Sequence, residues 1–185
     1  DLRGTTNGVP AVDWPRTGSL VAPNSAVARL RDKTGFNGFD LPTDSQWEYL
    51  CRAGTTTAFN DGNPDAKINV TGAIEDENNG NTNKYLNVLG WYAYNGSTRH
   101  PVGEKRPNAW GLYDMHGNMW EYCLSYYSSS SADFLGTDPT GPEGGGTRAL
   151  RGGNCDSPAW QCRSAHRSYS IPGTKYGGRL VITLP

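Results

Sequence analysis

Apolar residues recur at helical spacing in only two stretches of this 185-residue chain. In the first, Val27 and Leu30 share a face, Asn24 or Ser25 stands where a helix cap belongs, and Gly35 stands where the helix should stop. In the second, LPTDSQWEYLCRAG (residues 41–54), Trp47, Leu50 and Cys51 make an i, i+3, i+4 face. Thr43 and Gln46 form a T-x-x-Q capping box there, and Gly54 ends the run. Toward the C-terminus, TRALRGGN (147–154) and GGRLVITL (177–184) have the Leu and β-branched content of strands. Elsewhere no period is sustained. Residues 1–22 read as a loop-like entry and 55–90 as a long Asn-, Gly-, Asp- and Thr-rich loop or surface insertion. Residues 125–134 and 138–148 read as polar loops, and 90–122, dense in aromatics between turn signals, as the centre of the core. With no repeat and no boundary, the pattern predicts one domain over residues 1–185.

Composition changes this picture in one respect. Leu, Ile, Val and Phe make up only about 16% of the chain, below the roughly 20% of ordinary globular cores. A net charge of −1 removes the self-repulsion that keeps disordered chains open, and 6 Trp, 10 Tyr and 4 Phe supply bulk, so the core must be unusually aromatic. The 24 glycines imply short elements and many tight turns. Balanced charge leaves no footprint for nucleic acid, and no run approaches the roughly 18 apolar residues of a membrane span, so the chain reads as soluble. Cys51, Cys123, Cys155 and Cys162 contain no C-x-x-C pair, which fits neither a zinc ribbon nor a thioredoxin motif; two disulfides or four thiols both stay open. No carboxylate pair stands out by spacing and no G-x-S-x-G occurs, so hydrolysis has no support. N-V-T at Asn69 and N-G-S at Asn95 are glycosylation sequons, relevant at a cell-surface or extracellular location, although an Asn-rich chain also produces them by chance.

Four motifs in order, LPTDSQWEYLCRAG, HPVGEKRPNAWGLYDMHGNMWEY, RALRGGN and CRSAHRSYSIPGTKYGGRL, resemble the formylglycine-generating-enzyme (sulfatase-modifying factor) type domain, a branch of the C-type lectin fold. The resemblance spans roughly residues 10–182. It implies an α+β, C-type lectin-like fold with short helices on a small twisted sheet and abundant irregular loop. Members of the family usually carry a further N-terminal segment with a strand near the C-terminal strand. This chain is expected to lack that segment or to receive it as another piece or second chain, which leaves GGRLVITL with an edge to cover.

The resemblance carries two opposed functions. One is copper-dependent oxidation of a substrate cysteine, which uses a C-x-x-x-x-C pair after the RGG motif because soft thiolates bind copper(I). Here six residues separate Cys155 from Cys162, so the pair is out of register and copper is not expected. Cys51 resembles a helix cysteine that is disulfide-bonded in the enzymes, and Cys162 lies two residues from the expected partner. The resemblance therefore implies a Cys51–Cys162 bridge, with a Cys123–Cys155 bridge or buried thiols as alternatives. It also implies a calcium site in DMHGNMWE, with carbonyls of His116, Gly117 and Met119 and the Glu121 carboxylate as hard oxygen ligands. The plainer reading of those residues is a tight turn at Gly117 and Asn118, with Glu121 paired to an arginine.

The other function is that of the variable proteins of diversity-generating retroelements, which are non-catalytic and diversify a C-terminal ligand face. In this tail, residues such as Arg151, Gly152, Gly153, Arg163 and Arg167 look like scaffold. Between them lie Asp156, Ser157, His166, Ser168, Tyr169, Ser170 and Tyr176, all types reachable by changing adenines in an Asn codon. Trp160 is not reachable that way and reads as a fixed anchor. Tyr with Ser makes a paratope-like composition, large rigid contacts beside adaptable hydrogen bonds, although a Ser/Tyr cluster is also what an ordinary polar loop contains. The expectation is a non-enzymatic protein binding a protein or other macromolecular ligand through residues 154–176. The alternatives are a copper oxidase and a structural or accessory domain. Trp47, Trp91, Trp110, Tyr113 and Trp120 are assigned to the core, and the tyrosines of the tail to the surface.

Overall fold

The computed structural model describes residues 21–62, 84–171 and 173–182. The Asn69 sequon, the loop reading of residues 63–83, most of the entry segment and the last residues of GGRLVITL lie outside them. The described residues contain helices α1 (Ala26–Thr34), α2 (Asp44–Arg52) and α3 (Lys84–Leu89), and strands β1 (Phe39–Asp40), β2 (Glu121–Tyr126), β3 (Arg148–Arg151), β4 (Ser168–Ser170) and β5 (Val181–Ile182). One sheet pairs β1 with β5; the other runs β2-β3-β4. This is an α+β architecture of short elements, as the glycine content requires. No helix among the described residues is long and apolar enough to cross a membrane.

Contacts group the chain into two compact units. The first comprises Asp1–Gln46, Tyr122–Ala149 and Ser168–Pro185. Helix α1 starts where Ser25 Oγ accepts the Ala28 N–H (3.1 Å) and stops at Gly35, whose φ of 70° turns its N–H back to the Arg31 carbonyl at 2.8 Å. Its buried face is Val27 with Arg31, where the sequence pattern gives Val27 with Leu30. Arg31 can be buried because its partners are supplied: Nε donates to the Phe39 carbonyl (2.9 Å) and Nη2 pairs with Asp40 (3.2 Å). That pair fixes β1, which in turn runs antiparallel to β5 with Phe39 opposite Ile182 and Asp40 opposite Val181. Among the described residues β1 therefore pairs with one edge of β5. Both halves of the Thr43/Gln46 capping box form, each at 3.0 Å. The start of α2 is tied to β2 by the Asp44 N–H on Ser125 Oγ (2.8 Å) and the Leu124 N–H on the Pro42 carbonyl (2.8 Å).

The second unit comprises Trp47–Glu121 and Leu150–Arg167. Its core gathers Phe59, Leu86, Leu89, Tyr92, Ala159 and Cys162, with Trp160 packed against them. Leu86 and Leu89 come from α3, a six-residue helix inside the stretch that reads as loop. Trp47 is fully buried, and its indole N–H donates to the buried Glu121 carboxylate at 2.6 Å. Two aromatics assigned to the core are not in it: Trp110 is 46% and Tyr113 44% exposed. The cause is Asn108, whose amide donates to the Leu50 and Cys51 carbonyls while its oxygen accepts the Trp110 and Leu112 N–H groups, all within 2.7–3.2 Å. The turn is pinned by its base, so its tip faces out and Trp110 packs on exposed Tyr49, ring centroids 4.9 Å apart.

Substituting Trp47→Phe keeps most of the ring and removes the donor to a buried carboxylate. The expected cost is about 1.5–3 kcal/mol, read as a lower midpoint in urea unfolding with an unchanged slope. An unchanged midpoint would show that the Trp47–Glu121 bond contributes nothing.

Candidate functional site

The tail is positioned by buried polar groups in the second unit. Arg151 donates to the Ser164 carbonyl (2.9 Å), more weakly to that of His166 (3.3 Å), and pairs with Glu48 (2.9 Å). His116, wholly buried, has Nδ1 2.7 Å from the Cys162 carbonyl and Nε2 3.1 Å from the Asn60 N–H. The Asn60 N–H needs an acceptor, so the network assigns the neutral tautomer with the proton on Nδ1. Gly153 has φ of 79°, and a Cβ there would stand 2.5 Å from the Cys162 sulfur, so only glycine fits. Together these bonds fix a short 3-10 turn, Ala159–Cys162, in one place.

On that turn the structure groups some of the predicted ligand residues. Trp160 and His166 are half-buried and meet edge to face with centroids 5.1 Å apart, and Trp120 lies 5.8 Å from His166 on a tilted plane. Burial, reinforced by the positive charges of Arg163 and Arg151, pushes the His166 imidazole from 6.5 down to about 4. Arg163, not singled out as a ligand residue by the sequence, donates its Nε to the Trp160 carbonyl at 2.7 Å. Asp156 is exposed. Ser157, expected on the face, is buried instead: its hydroxyl donates to Asn154 Oδ1 (2.6 Å) and accepts the Asn154 N–H (3.1 Å), so it closes the loop from within.

The remaining ligand residues belong to the first unit. Ser168, Tyr169 and Ser170 are strand β4. Tyr169 is 58% exposed and its ring packs on Tyr127 at 4.7 Å. Tyr176 meets Tyr122 edge to face at 5.6 Å, and the Tyr122 hydroxyl donates to the carbonyl of exposed Ile171 (2.8 Å). The tail tyrosines therefore stand on a second row of tyrosines from β2 and its flank. Of the adjacent Tyr126 and Tyr127, Tyr127 belongs to that row, whereas the Tyr126 ring lies under the Arg148 guanidinium.

The four cysteines are buried thiols. The Cys51–Cys162 bridge implied by the resemblance is not formed: Cys51 Sγ faces Ser164 Oγ at 3.5 Å, and Ser164 is two residues beyond Cys162. The Cys162 thiol sits wholly buried in the core cluster, and burial pushes its pKa strongly up. Burial and the neighbouring Asp156 charge raise that of Cys155 too. Neither environment favours thiolate.

Of the oxygens carried over for calcium, Gly117 O accepts the Met119 N–H (2.8 Å) and Glu121 holds the Trp47 indole; His116 and Met119 contribute only backbone carbonyls to the set. A stronger donor lies in the same segment. Asp114, at φ of 56°, accepts the Gly103 N–H on Oδ2 (2.8 Å), while its Oδ1 is buried with no partner. A hard cation would satisfy that oxygen, which is the chemistry a calcium ligand in this segment requires. Among the described residues no three His, Cys, Asp or Glu side chains form a metal-binding group. The Asn95 sequon has its side chain engaged in the fold: Oδ1 accepts the Tyr92 N–H (2.9 Å) and Nδ2 donates to the Gly90 carbonyl (3.0 Å).

The family profile described as "Sulfatase-modifying factor enzyme 1-like domain" matches residues 11–184. A formylglycine-generating enzyme of Streptomyces coelicolor is 32% identical over 85% of the chain and 48% of its own length, and that of Mus musculus 31% over 82% and 39%. The chain thus spans about half the length of the curated relatives it matches. Among solved structures, Treponema denticola variable protein 1 is 31% identical with a TM-score of 0.61, covering 77% of this chain and 46% of that one. PvdO from Pseudomonas aeruginosa superposes with a TM-score of 0.63 over 93% of this chain and 60% of its own, at 23% identity, a likeness of fold alone. The fold is the C-type lectin-like α+β fold that these proteins share.

The Cys51–Ser164 apposition gives a direct test. In denaturant the native protein should titrate four thiols, and the Ser164→Cys variant should form a cross-link from position 164 to Cys51, seen as a lost thiol pair under non-reducing conditions. Closing a loop of more than a hundred residues should stabilise by up to about 4.7 kcal/mol. Fewer than four thiols in the native protein, or five in the variant, would contradict this geometry.

Proposed function

The chain belongs to the sulfatase-modifying factor enzyme 1-like domain family, and on that premise we propose that it is a non-enzymatic binding protein whose tail displays a diversified ligand face. The observation that carries the reading is the tyrosine row of the first unit: exposed Tyr169 packed at a tilt on Tyr127, with Ser168 and Ser170 beside it in β4. Packed tyrosines offer large contact area with little entropy left to lose, and serines adapt their hydrogen bonds, which suits recognition of a protein or other macromolecule. Similarity to a protein named as a variable protein supports it.

A second reading, cysteine oxidation with copper, is favoured by the identity to formylglycine-generating enzymes. Two buried thiols raised in pKa and spaced outside the C-x-x-x-x-C register speak against it. Conversion of a cysteine peptide to formylglycine by the copper-treated protein would establish that second reading over the first.

Sequencing the coding tail from many cells of one culture tests diversification without knowing the ligand. Substitutions should concentrate at adenines in the codons of Asp156, His166, Ser168, Tyr169, Ser170 and Tyr176, with those of Arg151, Gly153 and Arg163 constant. An even spread, or none, would contradict the reading. Calcium bound through Asp114 would serve stability only. A calcium-saturated sample should melt several degrees above one treated with chelator, and Asp114→Asn should remove the difference; identical melting of the native protein in both would exclude that role.

A further inference from the structure

The turn that carries Trp160 contains a guanidinium with unused donors. Arg163 spends its Nε on the Trp160 carbonyl, and among the described residues no other hydrogen bond, and no carboxylate, engages it. It is partly buried, which lowers its pKa by desolvation. Arg151, the other charge that acts on His166, is already held by Glu48 and two carbonyls. Arg163 is therefore held in place by one bond, partly stripped of water, and left with both terminal nitrogens available. Trp160, whose carbonyl it holds, meets His166 edge to face, and the largely buried Trp120 lies 5.8 Å from the same imidazole.

We propose that Arg163, with Trp160 and His166, forms a subsite for a singly charged carboxylate borne on an apolar stem. The planar fork of two terminal nitrogens matches the two oxygens of a carboxylate. One guanidinium balances one negative charge, which a carboxylate carries and a phosphate dianion exceeds. The half-buried Trp160 offers the stem an apolar contact, and the desolvated cation makes the ion pair stronger than one at an open surface. Two sources carry this chemistry, an acidic side chain of a protein ligand and a free aryl or alkyl acid. The inference rests on the reading of residues 154–176 as a ligand face and names the charge that face selects.

His166 reports on the site. Burial first, then the Arg163 and Arg151 charges, favour its neutral ring and push its pKa down to about 4. A carboxylate on Arg163 places a negative charge beside it and must raise its pKa. The test is an NMR titration of the His166 ring in the full chain with phenylacetate, with neutral phenylacetamide, and with a blocked Glu-containing peptide. Phenylacetate should bind saturably in the millimolar range and raise the His166 midpoint, while phenylacetamide should do neither. Arg163→Gln should abolish the shift, and Arg163→Lys, which keeps the charge and loses the fork, should weaken binding about tenfold. A peptide tighter than phenylacetate assigns the side chain of a protein ligand; phenylacetate tighter than the peptide assigns a free acid. Equal binding of phenylacetamide, no saturable shift, or undiminished binding by both Arg163 variants would overturn the proposal. The tail-sequencing experiment is independent of all these outcomes, so failure of the subsite and failure of the ligand-face reading are separable.

Discussion

A wholly buried imidazole holds the second unit together. His116 joins the Asn60 backbone to the Cys162 carbonyl through its two ring nitrogens, and it can do so only as the neutral tautomer. Three segments far apart in sequence meet on one ring, and the carbonyl it takes is the last of the turn that presents Trp160. Around it the same rule repeats: Trp47 on Glu121, Arg151 on Glu48, each a buried polar group with its partner in place. A chain poor in aliphatic residues cannot rely on area alone, so satisfied polar burial shares the task of specifying the fold.

This division separates scaffold from display. Arg151, Ser157 and Cys162 are interior, and their bonds close loops and fix the backbone. Asp156 and Tyr169 point outward from backbone they do not specify, and Trp160 and His166 sit half-way, one side on the core and one side toward solvent. Such positions can vary in chemistry without altering the fold, which is what a recognition surface requires. The cysteines, by contrast, are spent on packing, in surroundings that disfavour the thiolate.

Much of this was legible in the sequence where a local rule acts alone. Ser25 and Gly35 delimit α1 and the Thr43/Gln46 box starts α2, because caps depend on residues three or four apart. The two residues of β1 and the six of α3 are too short to show a period. Arg31 is buried because Asp40 and the Phe39 carbonyl wait for it, partners that no helical wheel contains. Trp110 faces out because Asn108 anchors its turn from below, and Ser157 faces in because Asn154 does the same for its own. For the candidate site, composition pointed to Trp160, His166 and Tyr169, which the structure places half-buried or exposed. Arg163 and Asp114 escaped it, since what marks them is an unmet hydrogen-bonding atom in the fold.

If the proposed ligand face is right, this fold tolerates change at the positions of that face and not at the groups that hold them. That claim is tested most directly by thermal unfolding of a library in which Asp156, Ser168, Tyr169, Ser170 and Tyr176 vary together. The account predicts cooperative unfolding throughout, with midpoints within about 5 °C of the parent, whereas His116→Ala in the parent loses most of its stability. Loss of cooperative unfolding across most of the library would contradict it.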